Sequence, residues 1–193
     1  MTTILIIFFS SISYLIGFYA IVKKGYRPSL FTRMVWLALA LNNLYSVIKL
    51  GNEIPTISLA WVTFLGSLLI LIGSIFKGER TFGRNEKIAS VLLVASLLLW
   101  LYGGIPIINL LIGLIAHLIG SIPTVVRAVK EPESENIPFW FFFALGSLIA
   151  FLSTDNSSFK GYIFILYFLI FDSAMVMLSL RRYIKNGKDN SLK

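Results

Sequence analysis

The chain has 193 residues, 57% of them apolar and 13% charged, with a formal net charge of +8. Soluble domains carry about 25% charged residues, so this composition excludes a soluble globular domain and a disordered chain. With no cysteine and one histidine, His117, the chain also excludes disulfides, thiolate chemistry and a multi-histidine metal site, and no metal or cofactor is expected.

A membrane-spanning helix takes about 20 residues, so seven spans need about 140 and leave only short loops. The apolar runs predict helices over about 3–22, 31–50, 56–76, 88–103, 105–126, 137–153 and 161–180. The first run, MTTILIIFFSSISYLIGFYA, has no cation ahead of it, and Lys23 and Lys24 follow it. A cleaved signal peptide has the reverse order, so this run reads as a spanning helix. It carries a small-residue stripe of Ser10, Ser13 and Gly17.

Asn42 and Asn43 sit in the middle of the second span. Adjacent helical residues point about 100° apart, so at most one of them faces a shared interior. Asn43 lies seven residues from Trp36 and shares its face. The third span carries Thr63, Ser67 and Ser74 along one face; the fourth has few polar groups and reads as a linker. Asn109, Gly113, His117, Ser121 and Thr124 mark a polar stripe on the fifth span. Such a stripe lines a cavity or lets helices pack closely. Pro123 interrupts the backbone ladder near the end of that span and is a candidate hinge. In the sixth span Ser147 follows Trp140 at the spacing of Asn43 and Trp36. Asp172 is the only acid inside a span, in the middle of the seventh, at nearly the depth of His117.

Polar groups in a span are costly and face a bundle interior. Asn43, Ser67, His117, Ser147 and Asp172 are therefore the candidate contacts for a polar solute, with Pro123 as the hinge. For each the alternative is interhelical hydrogen bonding without a ligand. One histidine, no cysteine and one intraspan acid make no catalytic constellation, so an enzyme is not expected.

Placing the N-terminus outside puts every lysine and arginine of the 17 except Lys49 and Lys160 on the cytoplasmic side. The positive-inside rule favours that orientation and attributes the positive charge to cytoplasmic loops rather than to nucleic-acid binding. The C-terminal RRYIKNGKDNSLK is then a basic cytoplasmic tail beside the bilayer.

The loops after spans one and five are related. FYAIVKKGYRPSLFTRMVW (18–36) aligns without a gap with IPTVVRAVKEPESENIPFW (122–140), pairing Val22 with Val126, Lys23 with Arg127, Pro28 with Pro132 and Trp36 with Trp140. Two three-helix units joined by one extra helix run parallel. The chain therefore divides into a first repeat (1–76), a loop and linker helix (77–104), a second repeat (105–180) and the tail (181–193). The stretch GSIPTVVRAVKEPESENIPFWFFFALGSLIAF (120–151), with its proline, short charged loop and aromatic-rich helix, resembles a PQ-loop. The chain as a whole is similar to the SWEET/PQ-loop transporter superfamily. The family's Pro-Gln pair stands here as Pro123-Thr124, and as Tyr19-Ala20 in the first repeat.

The resemblance implies an all-α membrane protein with seven transmembrane helices in a 3+1+3 arrangement of two parallel repeats. It implies a carrier of a small polar solute by alternating access. Separately, Asp172 and His117 at one depth leave proton coupling open. The competing expectation is a non-transporting receptor or scaffold with the same fold. The short chain suits a prokaryotic inner membrane, and whether it forms a homo-oligomer is left open.

Overall fold

The computed structural model describes residues 1–80, 83–102, 104–155 and 159–190. Among them are seven α-helices, α1 (Thr2–Lys23), α2 (Leu30–Lys49), α3 (Ile54–Lys77), α4 (Arg84–Leu101), α5 (Pro106–Lys130), α6 (Ile137–Ser153) and α7 (Phe159–Asn190), with one short 3₁₀ turn at Pro132–Ser134. Four of them, α1, α3, α5 and α7 as far as Arg181, are long and apolar enough to cross a membrane, the mark of a membrane protein. Arg33, Asn42, Asn43 and Lys49 dilute the apolar character of α2, and Arg84, Glu86 and Lys87 that of α4. The apolar α6 is 17 residues long.

The helix ends follow local chemistry. The Ser29 side chain caps α2 by accepting from Thr32 N at 3.3 Å, which satisfies one of the free N–H groups of the first turn. Prolines open α3, α5 and α6 in the first turn, where a missing N–H costs nothing. Gly25 after α1 and Gly51 after α2 adopt φ of +73° and +66°, which a glycine reaches without strain.

Several elements extend past the apolar runs. Helix α4 begins one turn before the expected position 88, and α5 continues from Pro106 through Pro123 to Lys130 without a break. Helix α7 continues to Asn190, so most of the segment expected as a tail is helical; 191–193 lie outside the described residues.

The loops after α1, α3 and α5 gather at one end. Leu30 N donates to Glu79 O at 2.8 Å and Glu79 N to Pro28 O at 3.0 Å, and Thr32 Oγ1 donates to Glu86 Oε1 at 2.8 Å. At the other end Asp155 N donates to Glu53 Oε2 at 3.0 Å, joining the loops after α2 and α6. The first end carries Lys24, Arg27, Arg127 and Lys130 and is called the basic end below.

Six helices close a ring in which each packs against the next in the order α1, α3, α2, α5, α7, α6 and back to α1; α4 lies against α2 and α5. In a bilayer apolar side chains gain little by leaving lipid for a helix partner, so small and polar residues set the contacts. Gly66 of α3 receives the Tyr14 ring, Gly17 of α1 receives Phe139, and Gly146 of α6 faces Ser10. Ser13 Oγ donates to Phe139 O at 2.7 Å across the α1–α6 seam. The α2–α4–α5 seam holds a polar knot: Asn109 Nδ2 donates to Asn42 Oδ1 at 3.1 Å and Ser46 Oγ at 2.8 Å, and Ser96 Oγ of α4 donates to Asn42 Oδ1 at 3.1 Å and also to Asn109 Oδ1.

Candidate functional site

The ring encloses a cavity with walls from α1, α2, α3, α5, α6 and α7. Its polar wall is Arg33, Asn43, Thr63, Ser67, His117 and Asp172, and its aromatic wall includes Tyr14, Trp36, Trp140, Phe143, Phe168 and Phe171. The free space is narrow. About 40 Å³ of it admits the centre of a water-sized sphere.

The cavity has a neighbour on its basic side. A neck of about 30 Å³, measured the same way, shares Arg33, Ile70, Phe139 and Trp140 with it. The neck in turn shares Ala20, Tyr26, Glu135 and Asn136 with a vestibule of about 700 Å³ at the basic end. Lys24, Arg27 and Arg127 stand on the vestibule rim with Glu79 and Glu133. The three spaces therefore adjoin in series from the surface to the middle of the bundle.

Each polar group is positioned by its helix. Arg33 lies on the first turn of α2, one turn before Trp36, and its guanidinium stacks over that indole with Cζ 4.4 Å from the ring centroid. Its Nη2 donates to Tyr26 Oη at 3.3 Å, and its Nε is buried without an acceptor. The whole residue is only 7% exposed. Trp36 in turn lies over the His117 ring, centroids 4.6 Å apart and planes tilted 32°. His117 Nδ1 lies 2.7 Å from Tyr167 Oη on α7. An arginine, an indole and an imidazole thus lie face over face, and a phenol meets the imidazole edge-on, in one chain of contacts across α2, α5 and α7.

Asp172 is 3% exposed, and its Oδ2 is buried without a partner. Asp172 and His117 face the same space, but the imidazole bonds to Tyr167. At the neck, Glu135 Oε2 accepts from Trp140 Nε1 at 3.2 Å, and Glu135 Oε1 has no partner. Burial pushes the Glu135 carboxyl above its ordinary value, against the opposing pull of the Trp140 hydrogen bond and of Arg33 and Arg127. Burial likewise pushes the Tyr26 phenol up.

Of the residues singled out in the sequence, Asn43, Ser67, His117 and Asp172 meet in the cavity. Of the two adjacent asparagines, Asn43 lies on its wall, whereas Asn42 belongs to the polar knot with α4 and α5. Ser147 is fully buried on α6, one turn beyond Phe143, and is not part of the cavity wall. Pro123 is exposed on an unbroken α5. The stripe on α5 divides: His117 faces the cavity, while Asn109, Gly113 and Gly120 accommodate α2 and α4.

Sequence reading missed Arg33, Tyr14 and Tyr167. Arg33 counted there as one more loop cation, although its spacing of three from Trp36 puts the two on one helical face. No sequence signal pairs Tyr167 with His117, 50 residues away.

Among the described residues no group of three or more histidines, cysteines, aspartates and glutamates converges to hold a metal ion. Comparisons of the chain with protein-family models, with curated proteins and with solved structures find no match.

Proposed function

We propose that the chain is a carrier that moves a small polar solute across a membrane by alternating access. The observation that carries this reading is the series of vestibule, neck and central cavity, closing on a polar site deep between the helices. Ligand sites favour concave, mostly apolar spaces with a few convergent polar groups, including the spaces between bundle helices. A site near the midplane between two repeats is also the usual place in secondary transporters.

The packing order supports a 3+1+3 reading. Exchanging α1 with α5, α2 with α6 and α3 with α7 maps the ring of contacts onto itself and leaves α4 as the odd helix. On this reading residues 1–76 and 105–180 are the moving units, the N-terminus lies outside and the basic end faces the cytoplasm. The vestibule is then the cytoplasmic mouth, and Arg33, Tyr26, Glu135 and Trp140 form the closure between it and the site. Asn43, Ser67, His117 and Asp172 contact the solute, and Asp172 is the proton-coupling group.

One feature favours a receptor or scaffold instead: the wide opening lies at the basic end, while the deep site is small. A test that needs no known solute separates the two. The chain has no native cysteine, so Ser67→Cys introduces a single thiol into the cavity wall. A carrier exposes that thiol in turn to membrane-impermeant thiol reagents added on either side of sealed vesicles. Labelling from one side only sinks the carrier reading. Once a solute is found, Asp172→Asn abolishes uptake driven by a pH gradient and spares solute exchange; unchanged gradient-driven uptake removes Asp172 from coupling.

A further inference from the structure

We infer that the solute of this site is a small carboxylate that carries a hydrogen-bond donor a few atoms away, with its carboxylate held by Arg33 and its donor turned to Asp172. The inference rests on the carrier reading for transport but makes its own claim about binding.

Arg33 is the first reason. A guanidinium this deeply buried ordinarily has a carboxylate partner, because an unpaired buried charge is costly. Among the described residues no carboxylate pairs with Arg33; its contacts are the Trp36 ring and the Tyr26 hydroxyl. Its Nε–H has no acceptor at all. A buried charged donor that no protein group matches favours an acceptor from a ligand, and the planar guanidinium edge matches a carboxylate in a bidentate pair. Glu135 stands near enough for Arg33 to pull on its carboxyl, but neither of its oxygens pairs with the guanidinium: Oε2 takes the Trp140 indole N–H and Oε1 has no partner.

Asp172 is the second reason. It enters the same cavity from α7 and leaves Oδ2 unmatched. Either protonation state of its carboxyl retains acceptor capacity, so it suits a hydroxyl or ammonium, and its ionised form repels a second carboxylate. The solute is therefore oriented, with its acceptor end toward the neck and its donor end toward the deep wall. The third reason is size. About 40 Å³ admits the centre of a water-sized sphere, which suits a small solute rather than a large one.

The test uses the full-length protein in detergent, with thermal unfolding as the readout. The probes are sodium glycolate and glycine, which have both groups; acetate, which lacks the donor; and glycolamide, the neutral counterpart of glycolate. Each is added at millimolar concentration and constant ionic strength. A bound ligand at free concentration L stabilises the folded protein by RT ln(1 + L/Kd), so at fixed concentration the tighter ligand gives the larger rise in melting temperature. The expected result is a rise with glycolate or glycine, a smaller rise with acetate and none with glycolamide. A rise with glycolate alone assigns a hydroxyl donor, and one with glycine alone an ammonium.

In Arg33→Gln the rise is lost. In Asp172→Leu, which removes both carboxyl oxygens, the carboxylates still bind, but the preference for glycolate or glycine over acetate disappears. If Arg33→Gln does not give a monodisperse protein, the Asp172→Leu result and the glycolamide comparison decide alone. An equal rise with glycolamide, a rise that survives in Arg33→Gln, or no rise with any carboxylate overturns the inference. The two readings fail separately. Stabilisation and exchange of a neutral solute in proteoliposomes keep the carrier and reject the carboxylate. Carboxylate binding that requires Arg33, without any flux, keeps this inference and rejects the carrier.

Discussion

Asn109 joins three helices, and its replacement by alanine tests whether the α2–α4–α5 seam is held by hydrogen bonds. The side chain is 2% exposed. It donates to Asn42 Oδ1 at 3.1 Å and Ser46 Oγ at 2.8 Å and accepts from Ser96 Oγ. Interhelical hydrogen bonds in membrane proteins contribute about 0.6 kcal/mol on average, so three of them are worth about 2 kcal/mol. The stranded-partner cost, about 1–3 kcal/mol for a buried group with nothing left to bond, does not multiply here. Ser46 Oγ keeps its bond to Asn42 O at 3.0 Å, and Asn42 Oδ1 keeps Ser96 Oγ. Asn109→Ala is therefore expected to cost about 2 kcal/mol, well short of the total for three orphaned groups. The assay is reversible unfolding in mixed micelles with increasing denaturing detergent. Ser90→Ala is the control, because that hydroxyl bonds only its own helix, to Glu86 O at 2.7 Å; its expected cost is below about 0.5 kcal/mol. A loss for Asn109→Ala no larger than the control's refutes the reasoning and leaves van der Waals packing to hold the seam.

Three further outcomes follow from the geometry. Glu135 has a raised pKa in the folded protein, so its contribution to stability is fully present below the unfolded value of 4.5 and is lost as pH rises through the folded one. Glu135→Gln should therefore flatten the fall in melting temperature above pH 4.5; an unchanged pH profile counts against burial as the cause. A methyl group at Gly66 would run into the Tyr14 ring near its base, whereas one at Gly73 meets the outer atoms of Phe18 at 3.2 Å. Overpacking costs about 1–3 kcal/mol against a helix-propensity gain of about 1 kcal/mol, so Gly66→Ala should lower the melting temperature and Gly73→Ala should not; the reverse order disproves the packing. Tyr167→Phe removes the phenol 2.7 Å from His117 Nδ1 and should cost about 1 kcal/mol in the same unfolding assay, against no loss if the pair is not formed.

The helices were legible in the sequence because most boundaries of the apolar runs fall at a proline, a glycine or a charge. The starts of α2, α5 and α6 fall within a residue of the expected positions. The errors have one origin, that apolar length measures what a bilayer covers and not how far a helix runs. Helix α4 starts a turn early because Glu86 finds the Thr32 hydroxyl at 2.8 Å and the Gly83 amide at 3.1 Å, so its charged first turn is held in place. Helix α7 passes Arg181 although no membrane run continues there; arginine and lysine favour its next turn, whereas Asn186, Gly187, Asp189 and Asn190 do not.

The site was legible where cost made it so. An asparagine, a histidine and an aspartate inside apolar runs are expensive anywhere except a shared interior, and Asn43, His117 and Asp172 do meet there. Two residues show where that logic stops. Ser147 was paired with Asn43 by the repeat, yet a serine is small and inexpensive enough to be buried in a helix contact, so its position in a span says little about a cavity. Arg33 shows the opposite failure. A cation two or three residues inside a span boundary ordinarily extends toward water, and counting it with the loops satisfied the charge rule. Whether its guanidinium reaches water or turns inward depends on what lies beside it, here the Trp36 face from its own helix and the Tyr26 hydroxyl from the preceding loop. That outcome is set by tertiary packing and not by the helical pattern. Arg33 is nonetheless the one fixed positive charge among the described residues that line the cavity, and so the residue with the greatest leverage on what the cavity accepts.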